Sequence, residues 1–129
     1  MKHILLLEDN QYKRDQITKC LDDKYGPEYT LVSYFALNIA AHDIMTNSKA
    51  YDIIILDNIV PRFIDTNDIM VENAAEEILR GMELRKIEVP VIVCSSEEVK
   101  MKDRKHPNLL GCVHYNKPGW FRAFVNLLV

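Results

Sequence analysis

The sequence predicts an α/β protein, an open sheet of parallel strands with helices on both faces, and three observations predict it. Short apolar runs alternate along the chain with segments of helical spacing. Two of those runs, Ile53-Ile54-Ile55-Leu56 and Val91-Ile92-Val93, are unbroken and rich in β-branched residues, as strands buried on both faces are. The length of 129 residues, 48% of them hydrophobic and 27% charged, suits one domain that buries about two thirds of its unfolded surface.

Each element follows in order. A first strand is predicted over His3–Leu7. Ile17, Cys20, Leu21 and Tyr25 then share one helical face, and Gly26-Pro27 closes that helix. Thr30–Tyr34 supplies the second strand, and Leu37, Ala40, Ala41, Ile44 and Met45 the apolar stripe of the second helix. Asp52–Leu56 is the third strand. From Pro61 to about Asn73 the chain has no clean period, which predicts an extended loop over about 62–73. A connection of roughly a dozen residues is long for this class, and such loops are functional or disordered.

Ala75, Ile78, Leu79 and Met82 resume the helical pattern, and Val89–Cys94 is the fourth strand. A helix through Glu97–Leu110 is expected to be short or bent, because Pro107 interrupts it. Gly111 leads into the last strand, Cys112–Tyr115, and Phe121, Phe124, Val125 and Leu128 line the last helix. The order is βαβαβαβαβα, with right-handed crossovers and no internal repeat or linker. One domain over 1–129 is expected.

Composition excludes several functions. Sixteen Lys and Arg against 19 Asp and Glu give a net charge of −3, so nothing draws the chain electrostatically to nucleic acid or to a membrane surface. No apolar stretch approaches the roughly 20 residues of a spanning helix. The start lacks the form of a signal peptide. Cys20, Cys94 and Cys112 are too few and scattered for a disulfide framework or a zinc site. A cytoplasmic location is expected. With only 4 Gly and no Gly-rich loop after the first strand, nucleotide binding is poorly supported.

In an open α/β sheet, ligands bind beyond the carboxyl ends of the strands. The residues there are Glu8 and Asp9 after the first strand, Asp57 after the third, Ser95 and Ser96 after the fourth, and Lys117-Pro118 after the fifth. Three carboxylates in one place can hold Mg²⁺, which prefers hard oxygen ligands. A carboxylate beside that metal can attack phosphorus, while a hydroxyl and an ammonium share the charge of the transferred group. Each residue also has a plainer use. Asp9 or Asn10 can cap the first helix, Asp57 can cap a turn, Ser95 with Glu98 fits a capping box, and Lys117 can precede a helix-starting Pro118. The complete set favours the chemical reading, because independent caps need not supply all of its parts.

With these motifs in order, the chain resembles the receiver domains of two-component response regulators. The resemblance rests on Leu5-Leu6-Leu7-Glu8-Asp9, Asp57-Asn58-Ile59-Val60-Pro61, Pro90-Val91-Ile92-Val93-Cys94-Ser95-Ser96 and Tyr115-Asn116-Lys117-Pro118. It implies a flavodoxin-like doubly wound sheet of strand order 2-1-3-4-5. It further implies that Asp57 accepts a phosphoryl group and that Mg²⁺ is held by Glu8, Asp9, Asp57 and the backbone carbonyl of Ile59. Ser95 would be the switch hydroxyl, with Lys117 pairing with the phosphoryl group across a cis Lys117–Pro118 peptide. The implied protein is a stand-alone receiver rather than a conventional enzyme. It would be phosphorylated by a histidine kinase or phosphotransfer protein and would signal by contact with a further protein, with a homodimer left open.

Three departures qualify the resemblance. The loop after Pro61 is longer than usual by roughly eight residues. Its Phe63, Ile64, Ile69, Met70 and Val71 suggest a docking arm, against a tolerated surface insertion. The switch aromatic position falls on His114, which would make a rotating switch sensitive to protonation; the alternative is an exposed strand residue. The fourth helix is expected to be short or bent by Pro107 and the last helix to end almost at Val129, on the face that signals in the family. Trp120 and Phe121 are core residues or part of a dimer face. The rival to the receiver reading is a receiver-like binding module that works without phosphorylation. An aspartyl-nucleophile phosphatase is disfavoured, since the position two after Asp57 is Ile59 rather than an acid.

Overall fold

Strand β1 (Lys2–Leu7) lies between β2 (Tyr29–Tyr34) and β3 (Ile53–Leu56), and β3 in turn pairs with β6 (Val91–Ser95), which pairs with β7 (Leu109–His114). All four pairings are parallel, and the order β2-β1-β3-β6-β7 is the 2-1-3-4-5 arrangement of a flavodoxin-like sheet. The structure, a computed structural model, describes residues 1–64, 69–97 and 106–129.

Alternation along the central strands builds a core on each face of the sheet. Leu5, Leu7, Ile54, Leu56, Val91 and Val93 point to one side, where they meet α2 (Leu37–Asn47) and α3 (Ala74–Leu84). Ile4, Leu6, Ile53, Ile55, Ile92 and Cys94 point to the other, against α1 (Gln11–Tyr25) and α4 (Trp120–Leu127). This explains why β3 shows no polar alternation: all four of its residues are buried, because helices cover both faces.

Two connections differ from expectation. The β3–α3 segment carries a small antiparallel hairpin, β4 (Val60–Pro61) with β5 (Met70–Val71), pairing Val60 with Val71 and Pro61 with Met70. Val60 is buried, and Arg62 forms a forked pair with Glu77 of α3 at 3.0 and 3.1 Å. The base of the loop is therefore ordered, and its residues 65–68 lie outside the described ones. Strand β7 begins at Leu109, so Gly111 is inside the strand rather than before it. A side chain there would come within 2.9 Å of Leu127 Cδ1, which is why a glycine suits this contact of β7 with α4. Of the helix expected over Glu97–Leu110, residues 98–105 lie outside the described ones, and His106–Asn108 form a turn closed by Leu109 N–H donating to His106 O at 3.1 Å.

Among the described residues no helix is long and apolar enough to cross a membrane. The three cysteines are free.

Candidate functional site

The ends of β1 and β3 bring three acids together. Asp57 N–H donates to Leu7 O at 2.9 Å, which sets the residue after β3 beside the residue after β1. Glu8, Asp9 and Asp57 each offer a carboxylate oxygen, and these oxygens lie within 4.8 Å of one another. Glu8 and Asp57 are buried, at 1% and 5% exposure, while Asp9 faces solvent. The Asp57 carboxylate is oriented by the chain that follows it, since Asn58 N–H donates to Oδ1 at 2.7 Å. Asn58 in turn ties down the next connection: its side chain donates to Glu72 O and accepts from Ala75 N–H at the start of α3.

Asn10 is the cap of α1, accepting from Lys13 N–H at 3.0 Å, and its own N–H donates to Glu8 Oε2 at 3.1 Å. The cap fixes the helix register, and the register drives Lys13 inward. Lys13, Ile17, Cys20 and Leu21 are the buried residues of α1, one stripe at helical spacing. The Lys13 ammonium donates to Cys94 O at 2.7 Å and lies 2.8 Å from Glu8 Oε1 and 3.3 Å from Asp57 Oδ1. The Glu8 contact is a close charge pair rather than a well-directed hydrogen bond, so Oε1 has no hydrogen-bond partner. The Tyr115 ring stands 5.4 Å from the same ammonium.

Lys13 was not among the residues singled out by sequence, yet the signal was present. It lies four residues before Ile17, on the apolar face of the predicted helix.

Electrostatics follow from this enclosure. Burial, then the neighbouring Asp57 charge, raises the Glu8 carboxyl from 4.5 to about 7, against the lowering effect of Lys13. Asp9, although its side chain reaches solvent, is raised too, by partial desolvation first and the Asp57 charge second. For Lys13, burial opposes the charge, but Asp57 and Glu8 more than offset it, so its pKa rises and the ammonium persists.

The other predicted residues divide. Ser95 is buried at the end of β6, and its hydroxyl accepts from Glu97 N–H at 3.4 Å; Glu98 of the suggested capping box lies outside the described residues. Ile59 is half-buried two residues after Asp57, with its N–H 3.5 Å from Asp57 Oδ1.

Lys117 is exposed, and no side-chain hydrogen bond or ion pair joins it to the acids among the described residues. The peptide to Pro118 is trans, not cis as expected. The reason is the local turn: Trp120 N–H donates to Lys117 O at 3.2 Å, and Gly119 has φ 79° and ψ 11°. Pro118 and Gly119 thus fill the central positions of a type II turn, which takes a trans proline at its second residue. Pro118 does not start the helix, which begins at Trp120.

His114 is half-buried, and its Nε2 lies 3.0 Å from Ser96 O, which also accepts from Asn116 Nδ2 at 2.7 Å. It is not an exposed strand residue. Trp120 packs against Tyr115 at 4.7 Å and belongs to the core flank, whereas Phe121 is exposed.

Comparison with solved structures places the fold. TrrA of Thermotoga maritima, a response regulator solved with Mg²⁺–BeF, aligns with a TM-score of 0.64 at 19% identity, over 99% of this chain and 100% of that one. The phosphorylated cyanobacterial phytochrome response regulator RcpA gives 0.64 at 19%, over 98% and 88%. The signal receiver domain of a Luxo repressor protein from Vibrio parahaemolyticus gives 0.54 at 22%, over 73% of this chain and 61% of that one. The chain therefore spans less than two thirds of that last structure. No protein-family model matches the sequence, and no curated protein matches it. The chain has the receiver fold of response regulators.

Proposed function

We propose that the chain, over residues 1–129, is a response-regulator receiver in two-component phosphorelay signalling, phosphorylated on Asp57. The carrying observation is the cluster of Glu8, Asp9 and Asp57 oxygens within 4.8 Å, at the carboxyl end of a receiver sheet. Three hard oxygen donors suit Mg²⁺, so the residues fit that ion. Glu8, Asp9, Asp57 and the Ile59 carbonyl would hold it. When bound, it neutralises charge on phosphoryl oxygens.

An Asp57 carboxylate oxygen forms the new P–O bond, and the donor's bond to phosphorus breaks, with its electron pair leaving on the donor. A histidine kinase or phosphotransfer protein supplies the group as a phosphohistidine. Ser95, held at the end of β6, supplies a hydroxyl donor to the phosphoryl oxygens, and Lys117 is the second candidate donor by family position. Adding roughly −1.5 to −2 charges at this end of the sheet biases the strand ends that carry Ser95 and His114 and the loops that follow them, and the message passes to another protein by contact. The chain hastens its own phosphorylation and dephosphorylation and is not a conventional enzyme.

Intact-mass spectrometry after incubation with Mg²⁺ and a small phosphodonor tests this reading. One phosphoryl adduct is expected on the wild type and none on Asp57→Asn. An adduct of equal yield on Asp57→Asn overturns the assignment. A second reading, a binding module independent of phosphorylation, is favoured by one observation: exposed Phe63 and Ile64 line a shallow groove of about 210 Å³ with Ala36 and Ile39. Deleting residues 64–71 without changing capture of a partner refutes it.

A further inference from the structure

We infer that the working cation of this site is Lys13, presented from the core by α1, in place of a lysine at the end of β7. The inference rests on the receiver reading and names the residue that carries its positive charge. Three observations carry it.

The first is placement. One ammonium touches the residues that follow two strands, Glu8 and Asp57, together with the Cys94 carbonyl of a third. It lies 3.3 Å from Asp57 Oδ1, so it is beside the carboxylate on which the phosphoryl group would form. Lys117, by contrast, is exposed and has no such contact among the described residues.

The second is preorganisation. Lys13 is 3% exposed, its stem is fixed in the buried stripe of α1, and its head is anchored by Cys94 O. A charge held in this way need not be gathered from solvent when negative charge develops, and such fixed groups contribute most to transition-state stabilisation. A lysine in solvent would have to lose side-chain freedom and hydration first.

The third is charge balance. With all three ionised, Glu8, Asp9 and Asp57 present three negative charges, and Lys13 presents one positive charge. Two further positive charges, those of one divalent ion, complete the set. Lys13 is therefore a resident cation on Glu8 and Asp57, two of the residues that would hold Mg²⁺. Its removal should tighten Mg²⁺ binding while slowing phosphoryl transfer. Mere structural damage to the site would weaken both.

The experiment compares wild type, Lys13→Gln and Lys117→Gln, full chain, by adduct formation with Mg²⁺ and a small phosphodonor and by calorimetric Mg²⁺ titration. Melting curves establish that each variant is folded. The rate of adduct formation should fall in Lys13→Gln on the order of 10²-fold, a larger loss than in Lys117→Gln. Mg²⁺ affinity should rise in Lys13→Gln by roughly tenfold or more. Equal losses, a larger loss in Lys117→Gln, or weaker Mg²⁺ binding in Lys13→Gln overturns the inference.

A wild type that takes no adduct removes the receiver reading instead. The cation is then judged from the Mg²⁺ titration alone, where unchanged or weaker affinity in Lys13→Gln overturns it. If Lys13→Gln does not fold, Lys117→Gln decides: a fall on the order of 10²-fold there assigns the charge to Lys117, and a smaller one leaves it with Lys13.

Discussion

Two lysines lie near the carboxyl end of the sheet, and the chain treats them in opposite ways. Lys13 is positioned by a helix register, with Asn10 capping α1 and the apolar stripe of Ile17, Cys20 and Leu21 turning it inward. Lys117 is positioned by a turn, in which Pro118 and Gly119 leave it exposed. The first is part of the core as much as of the site; the second belongs to the surface. The difference teaches that motif order along a sequence locates strand ends, whereas side-chain delivery depends on the element that follows. A helix packed on the sheet delivers a charge into the interior, and a tight turn does not.

The largest expected effect tests this directly. Lys13→Met leaves Glu8 and Asp57 facing each other without their cation, and removing one partner of a buried charge set costs on the order of 3 kcal/mol. The loss should depend on pH. In the wild type the Glu8 carboxyl is raised from 4.5 to about 7, chiefly by burial. The stability that its proton contributes is fully present below about pH 4.5 and is lost as pH rises through about 7. Without Lys13 the ionised form loses its offsetting partner, so the variant loses more above pH 7 than at pH 5. Denaturant unfolding at the two pH values checks this. An equal loss at both would mean that the stem's packing, not its charge, is what α1 delivers.

Gly119→Ala probes the opposite arrangement. The φ of 79° is left-handed, and a Cβ there would meet nothing within 4 Å. The cost is backbone strain alone, about 1 kcal/mol. It should be the same at pH 5 and pH 8, since no buried charge is involved. A pH-dependent loss would mean that the turn at 117–120 and the acid cluster are coupled, and the contrast between the two lysines would weaken.

Much of this was legible before the structure. β3 and β6 were written in β-branched runs, because a strand covered on both faces has no polar alternation to lose. Glu8, Asp9, Asp57 and Ser95 followed from strand ends, since the ends of parallel strands converge. The parts that escaped have physical reasons. The β4–β5 hairpin has two residues per strand, too few for a period, and its pairing is set by Val60 and Val71 across the loop. The start of β7 was placed too late because Pro107 and Gly111 resembled punctuation, whereas Gly111 lies inside the strand, where a side chain would press on the end of Leu127. Lys13 escaped because lysines are usually solvated, although its spacing from Ile17 placed it on the buried stripe. The Pro118-Gly119 pair carried the turn signal, but the family pattern pointed to a cis bond, and the type II geometry prevailed.

The smallest expected effect concerns the far side of the same edge. Ser96 O accepts from Asn116 Nδ2 at 2.7 Å and lies 3.0 Å from His114 Nε2. Ser96 itself is exposed, so water can replace either partner, and Asn116→Ala should cost only about 0.5 kcal/mol. His114→Ala should cost more, because the half-buried ring also packs. The double variant then distinguishes two states of this edge. Losses that add to within about 0.5 kcal/mol mean that water reaches the carbonyl and that this side is held loosely, as the exposed Lys117 suggests. A loss well beyond the sum means that the two side chains seal the carbonyl, leaving it orphaned only when both are gone. In that case the β7 edge would be as firmly built as the surroundings of Lys13, and the distinction between the two halves would rest on charge alone.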